Sequence, residues 1–297
     1  MNGMMTSSGL FPRNSRNKCT HSWPIPSGRE GLGVGNKISF MQKIKVEFQY
    51  EDSVARVILD DGKANILDAV MMTEITEFLS SLKNRKEIKL VTFEGNGGNF
   101  SYGASVTEHT KDKAPAMLEC FHKMFFTLID LHIPTLAKLS GQCLGGGFEL
   151  PLACNFIFAD RSAKIGQPEI VLGVFAPPAS VMLPLKIGAA KAEELLITGK
   201  IITAEEAKSI GLINEVFDDA QAMETFTQEW IRKNILGKSA SSLRYATRAA
   251  RASFDYLMLK HLPAFTEMYV KELMETHDGN EGINAFLEKR KPEWKNQ

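Results

Sequence analysis

The sequence predicts an α/β protein, and three observations carry that prediction. From Met41 to about Gly188, short apolar or alternating runs are followed by stretches with apolar residues at helical spacing. The links between these runs are short. Glycine clusters stand where a strand passes into a loop or helix. This order argues for stacked βα units.

The elements follow in turn. "KIKVEFQYEDSVARVILD" reads as two alternating strands joined by a turn near Glu51–Ser53. "DAVMMTEITEFLSSLKNR" has helical spacing, and "IKLVTFEG" is a short apolar run suited to a buried strand. "PAMLECFHKMFFTLIDLH" is a second amphipathic helix, stopped before Pro134. "PTLAKLSGQC" reads as one strand ending at Gly141. "GGFELPLACN" opens a helix, and "FIFADRSAKIGQP" returns as strand and turn. From Ala189 strand signals are few, so residues 189–297 read as a helical lid or assembly surface.

Residues 1–40 differ from the rest. They are rich in Gly, Ser, Asn and Pro, show no period, and read as a disordered extension. They carry Arg13, Arg16, Lys18, Arg29 and Lys37 against one acid, Glu30. That is a transit-peptide composition, but Pro24, Pro26 and the glycines break an amphipathic helix. Met41 precedes the first strand, so an upstream start is the favoured reading, with a cytoplasmic protein and the mitochondrial matrix as the alternative.

Composition excludes several functions. The chain has 297 residues, 44% of them hydrophobic, with 35 basic and 35 acidic side chains. Zero formal charge argues against a broad nucleic-acid or membrane footprint. Cys19, Cys120, Cys143 and Cys154 show no CxxC spacing, so buried thiols are expected. His109, His122, His132, His261 and His277 show no ligand spacing, and no metal is expected.

"GQCLGGGFEL" raises the functional question. Gly145, Gly146 and Gly147 follow a strand and open a helix, where free N–H groups carry partial positive charge. The stretch has no GK[ST] and no GxGxxG, so a phosphate loop is excluded. A developing oxyanion fits, as does a plain tight junction. "GNGGNFSYGAS" is a second strand-terminal loop, ending in Gly103 and Ala104, where an amide could face a ligand. Two such loops could hold one carbonyl oxygen. Glu149 then lies just inside the helix, and Glu169 stands among apolar residues in "IGQPEIVLG". Two carboxylates beside such a pocket suit general acid–base chemistry; the plainer readings are a helix-terminus charge for Glu149 and an edge residue for Glu169.

With these residues named, the chain from about Val46 to Trp294 resembles the enoyl-CoA hydratase/isomerase, or crotonase, superfamily. The matching stretches are "FSYGAS", "PTLAKLSGQCLGGGFELPLACNFIFAD", "AKIGQPEIVLG", "LLITGKIITAEEAKSIGLINEVF" and "EGINAFLEKRKPEW". The resemblance implies a crotonase-like spiral of ββα units over residues 41–188. It also implies a helical C-terminal region that mediates trimers, and hexamers built from them. The substrate it implies is an acyl-CoA thioester, with the carbonyl held by the Ala104 and Gly146 amides and with Glu149 and Glu169 catalytic. Retention of both glutamates favours water addition, with Glu149 mainly on the water and Glu169 mainly on carbon, an order open to reversal. For CoA the resemblance points to Lys63, Ala64, Ser101, Gly103 and Lys289, with Arg290 beside Lys289; solvated surface roles are the alternative for the three basic residues. No cofactor is implied beyond the CoA of the substrate.

Two departures narrow the reading. "GAS" stands where the family often has GAD, and "VFAPPASVMLPLKIG" replaces a glycine-rich segment. Pro177 and Pro178 stiffen that loop and Phe175 adds bulk, so the wall opposite Glu169 should be recast, with room for a ring at Val174–Ser180. "GQPEIVLGVFAPPAS", "FSYGAS" and "IDLHIPT" resemble the subgroup that hydrates cyclohexa-1,5-diene-1-carbonyl-CoA to 6-hydroxycyclohex-1-ene-1-carbonyl-CoA in anaerobic benzoyl-CoA degradation. A straight-chain enoyl-CoA hydratase, a ring-opening hydrolase and a non-catalytic RNA-binding or scaffold member are the alternatives.

Overall fold

The computed structural model describes residues 41–62 and 64–297; the expectations for residues 1–40 and Lys63 lie outside the described residues. Alternation builds the first sheet. In β1 (Ile44–Gln49) and β2 (Val54–Leu59), joined by a tight turn as expected, successive side chains point to opposite faces. Ala55, Val57 and Leu59 enter the main core, whereas Val54 faces a second, smaller core. β3 (Leu90–Gly95), β4 (Thr135–Leu139) and β6 (Phe156–Asp160) repeat this division. Val91, Phe93, Ala137 and Ile157 go one way, and Leu90, Leu136 and Phe158 the other. With β9 (Glu215–Phe217) at the far edge, the sheet order is β1-β2-β3-β4-β6-β9, antiparallel at β1–β2 and parallel thereafter.

A second sheet carries the site. β5 (Gln142–Leu144) pairs parallel with β7 (Lys164–Gly166), which pairs antiparallel with β8 (Ile201–Thr203). Here the structure corrects the sequence reading: "PTLAKLSGQC" is two strands in two sheets. Gly141, at φ +55°, turns the chain between them, and a Cβ there would overlap Gly98 and Asn99. The helical region that begins at Ala189 also carries two short strands. β8 completes the small sheet, and β9 (Glu215–Phe217) adds an edge to the large one. Three-residue strands are too short to show a period.

Helices cover both faces. α1 (Ala69–Ser81), capped by Asp68, packs on α2 (Ala114–Leu131) over the main core. After α3 (Gly146–Ala153) come α4 (Pro177–Ile187), α5 (Ala189–Thr198) and α6 (Ala204–Ser209). α7 (Ala220–Ile231) closes the second core with Met223 and Ile231. On that face Lys138, 5% exposed, pairs with Glu94 and, at 2.6 Å, with Glu224. α8 (Ala240–Ala250), α9 (Ala252–Lys271) and α10 (His277–Leu287) follow, with α9 packed on α2 and α4. No helix among the described residues is long and apolar enough to cross a membrane.

Candidate active site

Each glycine of the triple is required by a different neighbour. Gly145 has φ +51°, and a Cβ there would lie 2.7 Å from Glu169 Oε1. A Cβ on Gly146 would lie 2.9 Å from Ala104 Cβ and 3.2 Å from the Ala104 nitrogen. One on Gly147 would lie 2.5 Å from Ser101 Oγ. The glycines therefore let one turn approach the second loop and an acid at the same place.

The two loops are joined by backbone pairing. Ser101 bridges Cys143, and Ala104 bridges Leu67. In the second bridge Leu67 donates to Gly103 O at 3.0 Å, and Ser105 donates to Leu67 O at 3.3 Å. This pattern turns the intervening Ala104 N–H away from Leu67. Gly146 begins α3, so its N–H lacks a helical partner. Both residues line a cavity of about 300 Å³, at the small end for ligand sites. Gly103, Glu169 and Val174 line it too, and α10 contributes Ile283 and Phe286.

Glu149 and Glu169, 20 positions apart, meet at a narrow inner recess of about 20 Å³. It shares Ala104, His109, Gly146 and Glu169 with the larger cavity. Glu149 is 3% exposed and accepts the Ala179 N–H at 2.8 Å. Pro177 and Pro178 bring no N–H to the first turn of α4, so Ala179 offers its first free amide. Glu169 lies on the 3₁₀ turn Pro168–Leu172 and is partly buried. The buried Gln167 amide, oriented with its nitrogen toward Glu169, donates to both carboxylate oxygens at 3.0 Å. The C-terminal segment backs this turn: Gly282 lies against Leu172 O, and Gly173 against Trp294 and Asp278 O.

Burial and mutual repulsion set the charges. Burial, then the Glu169 charge, raises the Glu149 carboxyl well above the ordinary range. Burial raises Glu169 to about 7. Glu149 is the deeper and less solvated of the two, so burial favours the neutral form more strongly at Glu149 than at Glu169.

The other expected residues divide. Gly103 lines the cavity. Ser101 does not: it is fully buried, its hydroxyl donating to Asn65 O at 2.6 Å and accepting from Gly103 N at 3.1 Å. It fixes the loop from behind. Ala64 receives the Tyr102 N–H on its carbonyl at 3.0 Å and does not line the cavity. Lys289 sits at φ +56° just past α10, exposed and outside the cavity lining, and the Arg290 guanidinium is bound to Glu281 and Glu288.

Two lining residues were missed. In the sequence His109 figures only among the histidines without ligand spacing. Its Nδ1 lies 2.8 Å from Ser105 O, a carbonyl that only accepts, so Nδ1 holds the proton and Nε2 is left as an acceptor. Burial lowers its proton affinity. Tyr269, far along α9, carries no local signal.

Comparisons with known proteins show the family and the fold. The enoyl-CoA hydratase/isomerase family profile matches residues 49–297. A cyclohexa-1,5-dienecarbonyl-CoA hydratase of Thauera aromatica is 41% identical over 254 residues, 86% of this chain and 97% of that protein. A probable mitochondrial enoyl-CoA hydratase of Dictyostelium discoideum is 30% identical over 88% of this chain and 94% of its own. In fold, an enoyl-CoA hydratase from Bacillus halodurans superposes with a TM-score of 0.76 at 22% identity, covering 82% of this chain and 99% of that one. The paired strands, the two adjoining loops and these matches together place the chain in the enoyl-CoA hydratase/isomerase family, with its crotonase fold.

Proposed function

We propose that this protein is a hydro-lyase that adds water to a cyclic, conjugated acyl-CoA thioester, cyclohexa-1,5-diene-1-carbonyl-CoA, giving 6-hydroxycyclohex-1-ene-1-carbonyl-CoA. The observation that carries the proposal is the meeting of Glu149 and Glu169 at one recess beside the Ala104 and Gly146 amides. The thioester oxygen sits between those amides, which meet its negative charge without reorganising. The ionised carboxylate takes a proton from water as oxygen bonds to the ring. The protonated partner delivers a proton to carbon. The deeper burial of Glu149 favours its neutral form, which supports Glu149 as the proton donor to carbon. Glu149 can act on the water, the order favoured from sequence, only after that proton passes to Glu169.

The ring assignment rests on the wall of the recess and on the 41% relative. Phe175, Ala176 and Pro177, from the recast loop, line the recess with Phe121 of α2. The ring itself belongs in the adjoining cavity of about 300 Å³, with its reacting carbons facing this recess. Within this reading the enzyme is cytoplasmic and needs no metal or redox cofactor. It assembles as a homotrimer or homohexamer through its helical C-terminal region, where Tyr245, Tyr256 and Leu259 stand exposed. Light scattering reads the assembly.

Product identification by mass spectrometry across a panel of CoA thioesters tests the function. Preferred turnover of the cyclic dienoyl ester is expected. Preference for crotonyl-CoA would replace it with straight-chain hydration, a ring-opened product with hydrolysis. Inertness toward every ester would leave a non-catalytic role.

A further inference from the structure

Tyr269 brings a third polar group to the recess. Its side chain is 1% exposed, and its hydroxyl has no hydrogen-bond partner among the described residues. Its ring lies 5.5 Å from that of Phe175, and it lines the recess together with Glu149 and Glu169. Burial, then negative charge on Glu169 or Glu149, raises its phenol above the ordinary value, so it stays protonated and able to donate. A buried hydroxyl without a partner costs stability unless something in the recess accepts its hydrogen. The volume of about 20 Å³ suits one water-sized oxygen, and such an oxygen needs two to four polar partners. Two carboxyls and one phenol supply three.

We propose that Tyr269 is a positioning residue that holds the reacting oxygen, donating its O–H to the water before addition and to the product hydroxyl afterwards. The inference rests on the hydration reading. One lone pair of the water oxygen accepts from Tyr269 and another forms the C–O bond. The ionised carboxylate removes a water proton. The displaced π electrons reach the thioester oxygen and return to carbon with the proton of the second carboxyl. Tyr269 keeps its own proton throughout, and after addition its partner is the same oxygen, now a hydroxyl. The group thus recognises a hydroxylated acyl-CoA and ignores its deoxy counterpart.

The test compares the intact chain with Tyr269→Phe, a change that removes no hydrogen bond among the described residues. Calorimetry would measure Kd for the 6-hydroxycyclohexenoyl-CoA ester and for the cyclohexenoyl-CoA ester lacking the hydroxyl. Binding of the hydroxylated ester should weaken about 5- to 50-fold and that of the deoxy ester by less than about twofold. The kcat for hydration should fall roughly 10- to 100-fold, with KM within about threefold. Equal weakening of both esters would make Tyr269 purely structural and overturn the proposal, as would no change in either. If the variant fails to fold, 3-fluorotyrosine at position 269 keeps the hydroxyl and reports by ¹⁹F resonance. A shift on adding the hydroxylated ester alone supports the proposal, and the same response to both esters overturns it. Wild-type protein that hydrates its ester while Tyr269→Phe matches it removes this inference alone. Wild-type protein inert toward every ester removes the hydration reading and this inference with it.

Discussion

The Ala179 N–H donates to Glu149 Oε1 at 2.8 Å, so the amino end of α4 holds the deeper acid of the pair. The doubled proline therefore does more than shape a wall. It withholds two N–H groups and leaves Ala179 as the first amide of the helix, which faces a carboxylate. Ala179→Pro should remove that donor while keeping a first-turn backbone proline can adopt. The expected result is a roughly tenfold lower kcat and a Glu149 that holds its proton more tightly. A pH–rate profile with its limbs unmoved would contradict this link.

The charge state of the pair predicts a bell-shaped profile. The base limb of chemistry needs an ionised carboxylate, and Glu169 is raised to about 7, so kcat/KM should climb with pH through about 7. It should fall again at higher pH, as the more strongly raised Glu149 loses the proton that carbon must receive. Glu149→Gln and Glu169→Gln should each cost about 10²- to 10⁴-fold in kcat. Steady-state kinetics between pH 5 and 10 read both outcomes.

The same acids weaken the fold. A carboxyl raised from 4.5 to about 7 contributes its full share of stability below pH 4.5 and loses it as pH rises through 7. Replacing the acid should therefore help most at high pH. Glu169→Gln should raise the melting temperature at pH 8, by an amount corresponding to about 1–3 kcal/mol, and change it little at pH 4.5. Calorimetric melts at the two pH values are the measurement, and an equal gain at both would refute the linkage.

Gly146→Ala should strike the amide loops. The new Cβ would sit 2.9 Å from Ala104 Cβ, closer than carbon atoms pack, so the two loops must part. One lost donor predicts about a 10²- to 10³-fold fall in kcat. CoA-ester binding by calorimetry should change far less than turnover.

The C-terminal segment should matter to chemistry from a distance. Gly282 lies against Leu172 O and beside Trp294, directly behind the turn that carries Glu169. Gly282→Val should push that turn aside, lowering both thermal stability, by about 1–3 kcal/mol, and kcat. Hydrogen exchange confined to residues 168–173 and α10 would be the accompanying sign.

Much of this was legible in the residues themselves. Alternation in "VARVILD" and helical spacing in "MMTEITEFLSS" fix element type locally, because side-chain period follows backbone geometry. The glycine triple, the Gly103–Ala104 loop end, Glu149 and Glu169 stand out because strand-to-helix turns with free amides and acids among apolar neighbours are conspicuous in a single chain, while the family resemblance singles out Ala104 and Gly146 as the donors. Other features needed three dimensions. β5, β8 and β9 are three residues each, and their pairing partners lie far off in sequence. Ser101 looked like a ligand contact but points into the scaffold, since exposure is decided by what packs over a residue. Tyr269 is about a hundred residues beyond Glu169 and meets it only because α9 folds back over α4. The sequence by itself determined the longer elements and the chemistry available at each loop. Tertiary structure decided which groups share one small volume, because burial and charge coupling depend on distance in space.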